Sequence, residues 1–194
     1  MQADFAVELG ADDETLEMPW AAEGGGPCYY DLKRHPELLP RIEEAVRVAE
    51  LGKFLSKANS PRSLLETVKC DVWLSTEINP EEEIFEATNK YGSYVDFLFS
   101  DETKRISFSE HEDLVKRVTQ LLQRAPELPA AADFLIRRCY YSRPEQGSGR
   151  EEIRDGFYIT FYLFGYGNDE VSARQNWAMG LKLVQNAIRQ LFAR

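Results

Sequence analysis

Histidine and cysteine are scarce in this chain, with two His and three Cys among 194 residues. Cys28, Cys70 and Cys139 stand far apart, no CxxC pair occurs, and the histidines are His35 and His111. Zinc sites draw on closely spaced Cys and His, so no metal and no cofactor is expected. An odd, scattered cysteine set fits free thiols in a reducing compartment, which makes the cytoplasm the expected location. Positive charge is in deficit: 23 Lys+Arg against 33 Asp+Glu give a net charge of −10. Nucleic acid and anionic membrane both select basic surfaces, so neither is an expected partner. No apolar run reaches the roughly 18 residues of a membrane span. The start, Met1-Gln2-Ala3-Asp4-Phe5, has neither the basic nor the apolar region of a signal peptide.

What is present is core-forming material. Hydrophobic residues make up 43% of the chain and aromatics 12%, which excludes general disorder. Three segments share a pattern of strand, connector, strand and helix. The first opens with Asp4–Leu9, where Phe5, Val7 and Leu9 alternate. It runs through Gly24-Gly25-Gly26-Pro27 to a return strand Cys28–Leu32 and a helix over about Leu39–Lys57, with Ile42, Ala45, Val46 and Ala49 on one stripe. The second opens with Val68–Leu74, returns through Tyr94–Phe99, and ends in a helix carrying Leu114, Val115, Val118, Leu121 and Leu122. Ser109 and Glu112 have the spacing of a capping box at its start. The third opens with Asp133–Tyr141 and returns through Phe157–Phe164. Its helix is capped by Asn168 or Asp169 and carries Trp177, Leu181, Val184, Ile188 and Leu191.

The opening strands recur at spacings of 67 and 62 residues (Asp4, Asp71, Asp133) and the returns at 67 and 64 (Tyr30, Phe97, Phe161). The expectation is one domain over 1–194, in three tandem ββα units of about 1–60, 61–128 and 129–194. Such units cannot bury their apolar faces alone. The expected fold is therefore α+β in two layers: a mainly antiparallel sheet of about six strands with three helices on one face.

If helices cover one face, the other needs an account. Taking the aliphatic parity as inward leaves Asp71, Trp73, Tyr94, Asp96, Tyr158 and Tyr162 outward, with Asp4, Glu8, Tyr29, Asp31, Lys69, Ser75 and Thr160. Arg137 and Arg138 are adjacent, so one of them joins this face. Tyr and Trp combine large contact area with a polar handle, and Arg stacks on or pairs with them. Asp71, Trp73, Tyr94, Asp96, Arg137, Tyr158 and Tyr162 are thus the candidate binding residues. The same residue types also serve ordinary cross-strand pairing on a solvated sheet, or a second core beneath the polar connector 142–156.

No catalytic residue can be named. Cys139 follows two arginines that favour a thiolate, but neither histidine is placed to act as its base: His111 reads as a solvent-facing neighbour of a cap and His35 as a turn residue. Asp71 and Asp96 suit a paired-carboxylate role, yet Lys69 accounts for them as an ion pair. Gly165-Tyr166-Gly167 precedes a helix start, where phosphates bind. It lacks the GK[ST] of a P-loop and is followed by Asp169-Glu170, so a tight turn explains it better. The acids Glu81-Glu82-Glu83 read as a solvated face or a helix start. The expected function is a non-enzymatic module that binds another protein, or itself as a homodimer, through the aromatic and charged face. The alternative is a small-molecule-binding domain or enzyme with a pocket between that face and the 142–156 loop.

Overall fold

In the computed structural model, described for residues 1–22, 24–125, 127–144 and 151–192, the alternating segments build a single six-stranded sheet. Its strands are β1 (Gln2–Glu8), β2 (Thr15–Met18), β3 (Leu65–Ser75), β4 (Asn89–Phe99), β5 (Ala130–Pro144) and β6 (Glu151–Gly167). The order is β1-β5-β6-β4-β3, with β2 also paired to β5. The pairs β3/β4, β4/β6 and β5/β6 are antiparallel, while β1 and β2 run parallel to β5. The helices are α1 (Glu43–Arg47), α2 (Ala49–Ala58), α3 (Glu102–Arg105), α4 (Phe108–Leu122) and α5 (Glu170–Phe192). Two short 3-10 helices span Pro36–Arg41 and Pro80–Phe85.

One sheet face carries the main core. Val95, Phe97, Phe134, Ile136, Ile159 and Phe161 pack against Leu51 and Phe54 of α2, Val115 and Val118 of α4, and Trp177, Leu181 and Val184 of α5. Each such side chain contributes roughly 1.5–3 kcal/mol by leaving water. Helices on one side of a mainly antiparallel sheet are the two-layer α+β arrangement the hydrophobic pattern predicts. The α5 helix sits directly on the sheet backbone: a Cβ on Gly165 would lie 2.1 Å from the Trp177 nitrogen. This close approach, and not a tight turn, is what Gly165 serves, because its φ is not positive. Asp169 caps α5 by accepting from Ser172 N at 2.7 Å.

The first sixty residues depart from the predicted hairpin. Residues 28–32 form no strand; among the described residues the pairing there is an isolated bridge between Ala21 and Cys28. Instead β1 takes the first half of β5, Ala131–Arg137, and β2 the second, Arg138–Tyr141. β5 is 15 residues long, long enough to seat two short strands end to end. The helix predicted over 39–57 breaks at Val48, whose backbone is extended (φ −123°, ψ 96°). The break buries Val48 and leaves Val46 65% exposed. Gly52 permits it, since a Cβ there would meet the Ala45 carbonyl oxygen at 2.8 Å.

The α4 cap also lies earlier than predicted. Ser107, not Ser109, accepts from Glu110 N at 3.4 Å, using the same Ser-x-x-Glu spacing two residues upstream. That register places His111 wholly inside the fold, edge-on to the rings of Phe99 and Phe157. His111 is therefore not a solvent-facing cap neighbour.

Candidate functional site

The alternation that feeds the main core sends the opposite side chains to the outer sheet face. A segment of the N-terminal region crosses one end of that face. Leu16 and Met18 of β2 pack on Val68, Leu98, Cys139 and Tyr158, with Trp20, Tyr29 and Tyr141 at the margin. The Trp20 indole donates to the Val68 carbonyl at 3.0 Å, and Lys69 lies 5.1 Å above its ring. Gly24 and Gly25, both at φ near +80°, turn this strap back on itself. Beyond the turn, the Lys33 ammonium donates to the carbonyls of Ser60, Ser63 and Leu65 and ties the strap down.

β3 contributes to this end through a bulge. Pairing shifts between Thr67 and Cys70, so two residues, Val68 and Lys69, stand opposite Asp96 alone. Val68 consequently joins the outer cluster instead of the main core, which corrects the simple alternation Val68, Cys70, Val72, Leu74.

The middle of the face is a buried polar row. Asp96 is 3% exposed and accepts from the Thr160 hydroxyl directly across the β4/β6 pair. Burial pushes its carboxyl up to about 7, against the pull of Thr160 and the more distant charges of Lys69 and Arg137. Its Oδ1 has no hydrogen-bond partner. Arg137, and not the exposed Arg138, faces outward here. Its guanidinium binds Glu8 at 2.7 Å and Glu14 at 3.0 Å, and reaches the Thr160 hydroxyl at 3.3 Å. Burial opposes its charge, but the hydrogen bonds with Glu8 and Tyr162 and the charges of Tyr158 and Glu8 together outweigh it, and its pKa rises. With two carboxylates already engaged, Arg137 is no open anion site.

The other end of the face is pinned by the 3-10 helix Pro80–Phe85. Phe85 stacks on Tyr166 at 4.1 Å. Glu82 accepts from the Tyr166 hydroxyl at 2.7 Å and pairs with Lys90 at 2.8 Å, so this acid faces the sheet and not solvent. Burial raises the Glu82 carboxyl, but its hydrogen bonds outweigh this and hold it below its usual value.

Between strap and 3-10 helix lies an open window. Tyr94, Tyr162, Phe164 and Trp73 form a continuous chain of ring contacts with centroid spacings of 6.0, 6.3 and 6.2 Å. All four are only partly buried. Trp73 lies over Gly92, where a Cβ would come within 2.7 Å of the indole. Toward β1 the rings border a hollow of about 390 Å³ lined by Asp4, Phe5, Ala6, Asp133, Leu135, Tyr162 and Phe164. It shares Asp4, Asp133 and Phe164 with a second hollow of about 660 Å³ that reaches Glu81 and Glu82. Asp133 faces Asp4 across the β1/β5 pair, and burial, then the Asp4 charge, raises its carboxyl. Asp71 completes the rim at the β3 side, exposed and accepting from Val72 N.

The seven candidate residues thus share one face but not one environment. Trp73, Tyr94 and Tyr162 lie in the window with Asp71 on its rim; Asp96 and Arg137 lie in the buried row; Tyr158 is covered by the strap. Asp71 is exposed and Asp96 buried. Sequence reasoning missed Phe164 and Asp133. Phe164 continues the Tyr158-Thr160-Tyr162 alternation by one more step, which was the available signal. Cys139 is fully buried, and burial pushes its thiol up to about 12, so the neighbouring arginines produce no thiolate. The tip of the 142–156 loop, residues 145–150, lies outside the described residues.

Among the described residues no helix is long and apolar enough to cross a membrane, and no group of three or more His, Cys, Asp or Glu is placed to hold a metal. In comparisons with known proteins, the chain matches no family model, no curated protein and no solved structure.

Proposed function

We propose that the window is a recognition surface for a basic protein partner, and that the chain is a non-enzymatic interaction module of the cytoplasm. The observation that carries this reading is a connected set of partly buried rings, Trp73, Tyr94, Tyr162 and Phe164, bordering an open hollow lined by Asp4 and Asp133, with Asp71 on the rim. Rings of this kind anchor interfaces, and surrounding carboxylates attract Arg and Lys, which also stack on aromatic faces. A net charge of −10 steers a basic partner from a distance. A basic partner fits better than a second copy, because a two-fold pairing through this face sets its acids against themselves. Three thiols without disulfide partners support a reducing compartment.

The test titrates the chain with a hexa-arginine peptide, read by tryptophan fluorescence, beside the Trp73→Ala/Tyr94→Ala/Tyr162→Ala variant. The native chain should bind, more weakly as salt rises, and the folded variant should lose at least tenfold in affinity. Equal binding by both chains refutes the reading. A native dimer that becomes a folded monomer in the variant, by light scattering, assigns the face to self-association instead.

A further inference from the structure

The helix layer holds an opening of the opposite character. Between α2, the turn that follows it and α5 lies a cavity of about 500 Å³. Phe54, Leu65, Phe97 and Ile188 supply its apolar wall, and Lys57, Arg62 and Arg189 its charge. No Asp or Glu lines it, in a chain of net charge −10. Phe54 and Phe97 are in edge contact at 6.0 Å and belong to the main core, so the cavity reaches from the surface to the core wall.

The three cations are exposed and join none of the ion pairs found among the described residues. Lys57 and Arg189 lie in the last turns of α2 and α5, where the helix dipole favours positive charge. That account does not extend to Arg62, which is on no helix, nor to the apolar wall beneath it. The volume is within the range of small-molecule sites, roughly 300–1,000 Å³.

We propose that this cavity binds an anionic amphiphile. Its hydrocarbon chain lies against Phe54, Phe97 and Ile188, and its acid headgroup meets Arg62, Arg189 and Lys57. Carboxylate and phosphate headgroups share this chemistry. The site is independent of the outer-face window.

Calorimetric titration of the full chain tests it, with octanoate, octyl phosphate, octanol and octyltrimethylammonium, each below its aggregation concentration. One of the two anions should saturate a single site at least tenfold more tightly than the neutral or cationic chain, and the tighter anion identifies the headgroup. Arg62→Glu/Arg189→Glu should weaken that binding at least tenfold while the far-ultraviolet dichroism is unchanged. If that variant does not fold, Arg62→Gln alone should weaken binding at least threefold. Absence of saturable binding, equal binding of octyltrimethylammonium, or a folded variant that binds like the native chain overturns the proposal.

Discussion

Tyr158 and Tyr162 stand on the same face of β6, yet Tyr158 is wholly buried and Tyr162 only in part. The difference lies in what packs against them. Beside Tyr158, β2 at the edge of β5 brings Leu16 and Met18, and with Val68, Leu98 and Cys139 they close a second, smaller core. Tyr162 instead lines an open hollow; its ring meets Tyr94 and Phe164 beside it on the sheet, and its side chain hydrogen-bonds Arg137. The two ends of one face therefore separate a structural use of tyrosine from a surface use. Strand parity is the same at both, so parity alone does not distinguish a core from a recognition surface.

The comparison breaks most directly at the strap. Leu16 is 2% exposed, and Leu16→Ala should cost about 2–5 kcal/mol in urea unfolding, with Tyr158 becoming accessible to solvent. A loss under about 1 kcal/mol would mean that the strap closes no core.

Asp96, at the boundary between the closed and open ends, sharpens the comparison through pH. In the folded chain it stays protonated up to about pH 7, whereas the unfolded chain ionises it near its usual 3.8. Its burial therefore destabilises the fold progressively as pH rises from 3.8 to 7. Asp96→Asn should match the native chain in acid and exceed it in melting temperature above neutrality. Parallel pH profiles for the two chains would place the boundary in water.

The smallest effect belongs to the window. Gly92→Ala sets a methyl against the Trp73 indole. Because the clash is with the indole end of a side chain that is only partly buried, the cost should be about 1 kcal/mol or less, below the 1–3 kcal/mol usual when a closed core is overpacked. Trp73 emission should shift to the red. A larger loss with no spectral shift would make the window as rigid as the strap end.

Much of the fold was legible because its signals are local. Alternation in Tyr94–Phe99 and Phe157–Phe164, and the 3.6-residue stripes of α4 and α5, follow from burying one side of each element. The same alternation placed Asp71, Trp73, Tyr94, Asp96, Tyr158 and Tyr162 on one face before any strand order was known. What was not legible depends on distant neighbours. Val68 left its expected side because a bulge opposite Asp96 reversed the parity of β3. Ser107 displaced Ser109 as the α4 cap because only that register seats His111 among Phe99 and Phe157. Residues 28–32 look like a strand, but their segment spends its apolar side chains on the strap and the helix layer.

The amino-acid sequence by itself determined the α+β class, the two-sided character of each strand, the acidic balance and the outward set Asp71, Trp73, Tyr94, Asp96, Tyr158 and Tyr162. These follow from side-chain period and charge, which each segment carries wherever it packs. Only the tertiary structure decided that β1 and β2 share the edge of β5, that the strap buries Tyr158, and that Trp73, Tyr94, Tyr162 and Phe164 stay open together. Those outcomes depend on which long-range pairing closes the core.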